Sequence, residues 1–81
     1  MIDLEGPTPL YVQIADVIMG RIADGTYPPG RRIPSTAAIA DEFGVSRRTA
    51  TESLRLLRNR KAVFGVRGRG TFVATDESPR P

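Results

Sequence analysis

Eight basic side chains fall within 23 residues of this chain: Arg47, Arg48, Arg55, Arg58, Arg60, Lys61, Arg67 and Arg69, against Glu52 alone. That stretch carries a net +7, while residues 1–46 carry −3 and residues 70–81 carry −1. One segment therefore holds nearly all the positive field of a molecule whose net charge is only +3. A field gathered in this way suits a polyanion-binding surface; a solvated helix face is the plainer alternative. Eleven of the twelve basic residues are Arg. The planar guanidinium fork matches phosphate oxygens and the guanine edge bidentately, although a GC-rich genome would also enrich Arg.

Composition closes off most other chemistries. Neither Cys nor His is present. A disulfide framework, thiolate or imidazole metal sites, a cysteine nucleophile and a Ser-His-Asp triad are all excluded. Asp41-Glu42 reads as the exposed face of a helix, not as a catalytic carboxylate pair. The expectation is no catalytic residue, no metal and no cofactor: a protein that is not an enzyme. The opening Met1-Ile2-Asp3-Leu4-Glu5 is acidic, and no apolar run approaches membrane-spanning length. The expected location is cytoplasmic and nucleoid-associated, with no membrane partner.

The elements that must position the basic segment follow from periodicity and caps. Eighty-one residues make one small domain with one core. Thr8-Pro9 predicts a helix start, with the hydroxyl as cap and proline at the first helical position. Leu10, Ile14, Val17, Ile18 and Ile22 then repeat at helical spacing. This helix ends near Asp24, with Gly25 as its left-handed cap. Residues 26–34 hold three prolines and form a turn with a short extended piece around Arg32-Ile33. Ser35 caps a second helix over 36–43, whose buried side is Ile39, Ala40 and Phe43. Gly44 stops it, and Val45 packs inward. Ser46 caps a third helix near 47–60, with Ala50, Leu54 and Leu57 as its core stripe. The runs 62–66 and 71–74 are β-prone, and Arg67-Gly68-Arg69-Gly70 supplies the turn between them. Phe72 joins the expected core, and Tyr11 is a packing residue. Residues 1–7 form an N-terminal extension, 8–75 the domain and 76–81 a disordered tail.

The fold class is thus mainly α with a small β-hairpin (α+β): a winged helix-turn-helix of three helices and a two-stranded wing. Ala40 lets the second and third helices approach, and Gly44 turns the chain between them. The third helix presents Ser46-Arg47-Arg48-Thr49 on its first turn, where free N–H groups and the helix dipole favour anions.

The chain resembles the DNA-binding domain of the GntR family of bacterial transcription regulators. The matching segments are Pro9-Leu10-Tyr11-Val12-Gln13-Ile14, Gly25-Thr26-Tyr27-Pro28-Pro29-Gly30, Ile33-Pro34-Ser35, Ile39-Ala40, Phe43-Gly44-Val45-Ser46-Arg47, Thr49, Leu54, Leu57 and Gly68-Arg69-Gly70-Thr71-Phe72-Val73. The resemblance spans roughly residues 8–74. The resemblance implies a DNA-binding transcription regulator of repressor type, self-associating on a palindromic operator. It places helix 47–60 in the major groove and wing 67–70 in the minor groove. Arg47 matches the family's main base-reading arginine, and Gly68 its wing-tip glycine. The residues expected to bind double-stranded DNA are Ser35, Thr36, Ser46, Arg47, Arg48, Thr49, Thr51, Arg67, Gly68 and Arg69.

Three departures bear on this expectation. The family's usual Glu-Arg-Glu after Pro-Ser is Thr36-Ala37-Ala38 here, so one DNA-contacting arginine is missing. Thr51 stands where another arginine is usual. Lys61 stands where a glycine usually precedes the first wing strand. Arg48 is expected to take over part of the lost contact; its plainer role is an i,i+4 pair with Glu52. The resemblance also implies a C-terminal effector-binding and dimerisation domain. The 81 residues stop just after the wing and show no small-molecule effector site; both a fragment and a naturally short member fit. A winged-helix module that binds another protein is the competing reading, and the arginines argue against it.

Overall fold

The computed structural model describes residues 8–74. The expected extension over 1–7, residue 75 and the expected tail over 76–81 lie outside them. Three helices and a hairpin follow in order: α1 (Leu10–Ala23), α2 (Thr36–Phe43), α3 (Arg47–Asn59), β1 (Val63–Val66) and β2 (Gly70–Val73). This is the three-helix, two-stranded winged architecture expected from the sequence.

The start of α1 differs from expectation by one position. Pro9, not Thr8, occupies the cap, with an extended backbone (φ −55°, ψ 146°) and no side-chain cap. The Pro9 carbonyl accepts from the amides of Val12 and Gln13 at 3.1 and 3.2 Å. Thr8 contributes its carbonyl, which accepts from Gln13 Nε2 at 2.9 Å. The fixed proline φ already opens the helix, so the hydroxyl is not needed there. At the other end Gly25 takes φ +87° after the Asp24 cap, as expected.

The other two helices are capped by serine. Ser35 Oγ accepts from the Ala38 amide and Ser46 Oγ from the Thr49 amide, each at 3.1 Å. Gly44 ends α2 at φ +66°. The Val45 amide then reaches back to the Ala40 carbonyl at 3.0 Å, which carries the chain sharply into α3. α3 ends at Asn59, one residue short of expectation, through the same device. The Lys61 amide donates to Arg58 and the Ala62 amide to Leu57, at 2.9 and 3.0 Å. Here the left-handed position is Lys61, at φ +63°.

The core lies between the three helices and the inner face of the hairpin. Ile14, Ile18, Ile39, Ala40, Ala50, Leu54 and Leu57 are buried as expected, joined by Ala15, Ile33, Val63 and Val73. Ser53 is also fully buried, its hydroxyl satisfied by the Ala50 carbonyl at 2.7 Å. Phe72 does not belong to this set. Register pairs Val63 with Val73 and Phe64 with Phe72. Alternation sends the valine pair inward and the two half-buried rings to the opposite face, stacked 5.9 Å apart. Leu10 and Phe43 are half-buried at the edge of the core.

β2 has a partner on each side. The Ile33 amide donates to Thr71, Gly30 to Val73, and Val73 back to Arg31, at 2.9, 3.0 and 2.8 Å. Arg32 forms an isolated antiparallel bridge with Phe72. The turn after α1 is thus fastened to the wing, and buried Ile33 anchors it in the core.

Candidate nucleic-acid interface

The first turn of α3 is built by its cap. Besides accepting the Thr49 amide, the Ser46 hydroxyl donates to Thr49 Oγ1 at 3.0 Å. Ser46 is then fully engaged as a cap, while Thr49 keeps its own hydroxyl hydrogen for an outside acceptor. Arg47, Arg48, Thr51 and Arg55 are exposed, and Thr49 is half-buried. Spacings of four, four and three place Arg47, Thr51, Arg55 and Arg58 along one side of α3, clear of the core face. No acid stands in the first turn of α2 or of α3.

The acids that could neutralise this side are elsewhere or unpaired. Among the described residues the ion pairs are Arg21–Glu42 and Arg60–Asp16, the latter at 3.1 Å. Glu52 forms no ion pair with Arg48, so the plainer role for Arg48 is not the one adopted. Arg60 ties α3 to α1 through Asp16.

The Arg21–Glu42 pair joins α1 to α2 through both guanidinium nitrogens. Arg21 Nη1 also donates to the Tyr27 hydroxyl at 2.8 Å, and its guanidinium lies 5.8 and 5.5 Å from the centres of the Tyr27 and Phe43 rings. Hydrogen bonding to Arg21 holds the Glu42 carboxyl below the usual range, and Glu42 in turn raises Arg21. Asp24 is lowered too, by the hydroxyl and amide of Thr26.

The wing supplies the second basic group. Arg67, Gly68 and Arg69 form its turn, closed by the Arg69 amide on the Val66 carbonyl at 2.9 Å. Gly70 was expected in the turn; it pairs instead with Val66 as the first residue of β2. Arg67 and Arg69 are exposed, and Gly68 takes φ +76° between them. A cleft of about 600 Å³ separates the wing from the start of α2, lined by Arg32, Ser35, Thr36, Arg58, Arg67 and Arg69 among others.

The structure therefore brings together Ser35, Thr36, Arg67, Gly68 and Arg69 around one cleft. Ser46, Arg47, Arg48, Thr49 and Thr51 form a separate group on α3 and do not line it. Sequence reasoning missed Arg32 and Arg58 as members of the cleft. For Arg58 a signal existed: it lies eleven residues after Arg47, three turns along the same helical stripe. Its Nη1 reaches within 3.4 Å of where a Cβ on Gly65 would stand. For Arg32 no local signal existed, since its place depends on the pairing with β2.

Known proteins resemble the chain over nearly all described residues. The model of the family "Bacterial regulatory proteins, gntR family" matches residues 10–73. The histidine utilization repressor of Pseudomonas putida is 40% identical over 70 residues, covering 86% of this chain and 28% of that protein. The mannosyl-D-glycerate transport/metabolism system repressor MngR of Escherichia coli (strain K12) is 44% identical over 68 residues, covering 84% and 28%. Among solved structures, AraR(DBD) in complex with operator ORX1 superposes with a TM-score of 0.82 at 32% identity, over 91% of this chain and 95% of that one. The chain thus spans under a third of the length of the curated relatives it matches.

Proposed function

The chain belongs to the GntR family of bacterial regulatory proteins, and from that premise we propose that it binds double-stranded DNA as a sequence-specific repressor of transcription. The observation that carries this reading is the set of arginines on the first turn of α3 and on the wing that no acid neutralises. An α-helix with side chains is about 10–12 Å across and fits a major groove about 12 Å wide. α3 enters that groove N-terminus first. Arg47 reads a base, and Arg48 supports it in place of the arginine missing after Ser35. Thr49 donates its hydroxyl to a phosphate, with Thr51 beside it. Ser35, Ser46 and Thr36 line the backbone path at the two helix starts, where free amides favour anions.

The wing lies in the minor groove. Gly68 lets the turn approach closely, and Arg67 and Arg69 add the positive charge that a narrow minor groove attracts. Two copies occupy the half-sites of a palindromic operator, related by its two-fold axis. This function needs no catalytic group, metal or cofactor, and places the protein in the cytoplasm on the nucleoid.

Titrating a labelled duplex at several salt concentrations tests the reading. Log affinity is expected to fall with log salt at a slope of about −0.9 per phosphate neutralised. A slope near zero would remove the nucleic-acid reading and favour a protein-binding module.

A further inference from the structure

Arg32 touches the wing in three ways. Its backbone bridges Phe72 beside β2. Its stem crosses Gly70 so closely that a Cβ there would stand 3.0 Å from Arg32 Cδ. Its Nη1 donates to the Arg69 carbonyl at 3.1 Å. The wing turn has little to hold it otherwise. Beyond the β1–β2 pairing that ends at Val66–Gly70, the Arg69 amide on the Val66 carbonyl closes it, and two glycines flank its end at φ +76° (Gly68) and +123° (Gly70). Such backbone has many other conformations open to it.

We infer that Arg32 is a positioning residue for the wing, an inference that rests on the DNA-binding reading above. By holding the Arg69 carbonyl it sets the height and tilt of the Arg67–Arg69 turn above the start of α2. The two wing arginines then reach the minor groove while α3 is seated in the major groove. Without this anchor only a fraction of molecules presents the wing correctly, and apparent affinity falls by that fraction. Gly70 is part of the device: a Cβ there would push the Arg32 stem aside by a few tenths of an ångström, and its φ of +123° strains any residue with a side chain.

The test compares Arg32→Met, which keeps a stem but removes the donor and the charge, with Arg32→Lys, which restores both. Two quantities are read: hydrogen exchange of the Arg69 amide without DNA, and the affinity ratio between duplexes with A·T and G·C flanks under the wing. Arg32→Met is expected to speed Arg69 exchange and to cut the flank ratio about two- to tenfold, the range of one such hydrogen bond. Arg32→Lys restores most of both. With Arg67 and Arg69 already changed to alanine, Arg32→Met alters the flank ratio no further. Unchanged Arg69 exchange in Arg32→Met overturns the proposal. So does a loss that adds fully to that of the wing double variant, since Arg32 would then contact DNA by itself. If the parent protein binds no duplex in a salt-dependent way, the DNA reading falls and the positioning role falls with it; the exchange result then shows only how the free wing is held.

Discussion

Arg21 of α1 and Glu42 of α2 meet through two hydrogen bonds, with the guanidinium lying over the rings of Tyr27 and Phe43. This pair fastens the first helix to the last turn of the second. Because hydrogen bonding to Arg21 lowers the Glu42 carboxyl, the sign of its pH effect follows. Its stabilisation is fully present above the ordinary glutamate value of 4.5 and is lost as pH falls through the lower folded value. Asp24 acts in the same direction through Thr26.

Glu42→Gln should therefore destabilise the domain at neutral pH by about 0.5–1 kcal/mol, the modest range of a partly exposed pair screened by water. The difference from the parent should shrink as pH drops below the ordinary glutamate value of 4.5. Arg21→Ala should cost more than Glu42→Gln, because packing against two rings is lost as well. Urea titrations at pH 7 and pH 3.5 check both; an equal deficit at the two pH values would deny the pair its electrostatic role.

Lys61 holds a left-handed backbone that costs a β-carbon-bearing residue energy. Lys61→Gly should raise stability by about 0.5–1 kcal/mol, the relief being partly offset by the entropy of glycine in the unfolded chain. A higher denaturant midpoint with an unchanged slope is the expected result.

Arg47→Ala should weaken cognate binding by about 1–3 kcal/mol and relax preference at one base pair. Thr49→Ala should weaken cognate and scrambled duplexes alike, since the Thr49 hydroxyl is assigned to a phosphate. An unchanged cognate-to-scrambled ratio in Arg47→Ala would make Arg47 a positioning contact.

Among the described residues Tyr11 is the one exposed large apolar side chain, at 36%. That surface is too small for an obligate interface. The 81-residue chain should sediment as a monomer or a weak dimer at micromolar concentration. It should then load cooperatively on an inverted repeat of half-sites. Equal affinity per half-site on single and paired sites would count against the symmetric arrangement.

What the sequence determined by itself is local. Ser35 and Ser46 cap helices because a hydroxyl can bond an amide three residues on, and that geometry involves no distant partner. Gly44 turns the chain because glycine tolerates φ +66°. Ile14, Ile18, Leu54 and Leu57 are buried because helical periodicity places them on one side. The winged order of elements and the basic turn of α3 were legible for the same reason. Thr8 failed as a cap because proline's fixed φ competed for the same boundary. Phe72 failed as core because a strand's inward face depends on register with its partner, and one position changes the face. Arg32 on Arg69 spans 37 residues, and Arg21 on Glu42 spans 21. Neither separation is a helical or strand period, so no local pattern marks them. They exist because the core packs α1 against its neighbours and lays the 30–33 segment beside β2, and only that packing decides which charged side chains face each other and which are left facing outward.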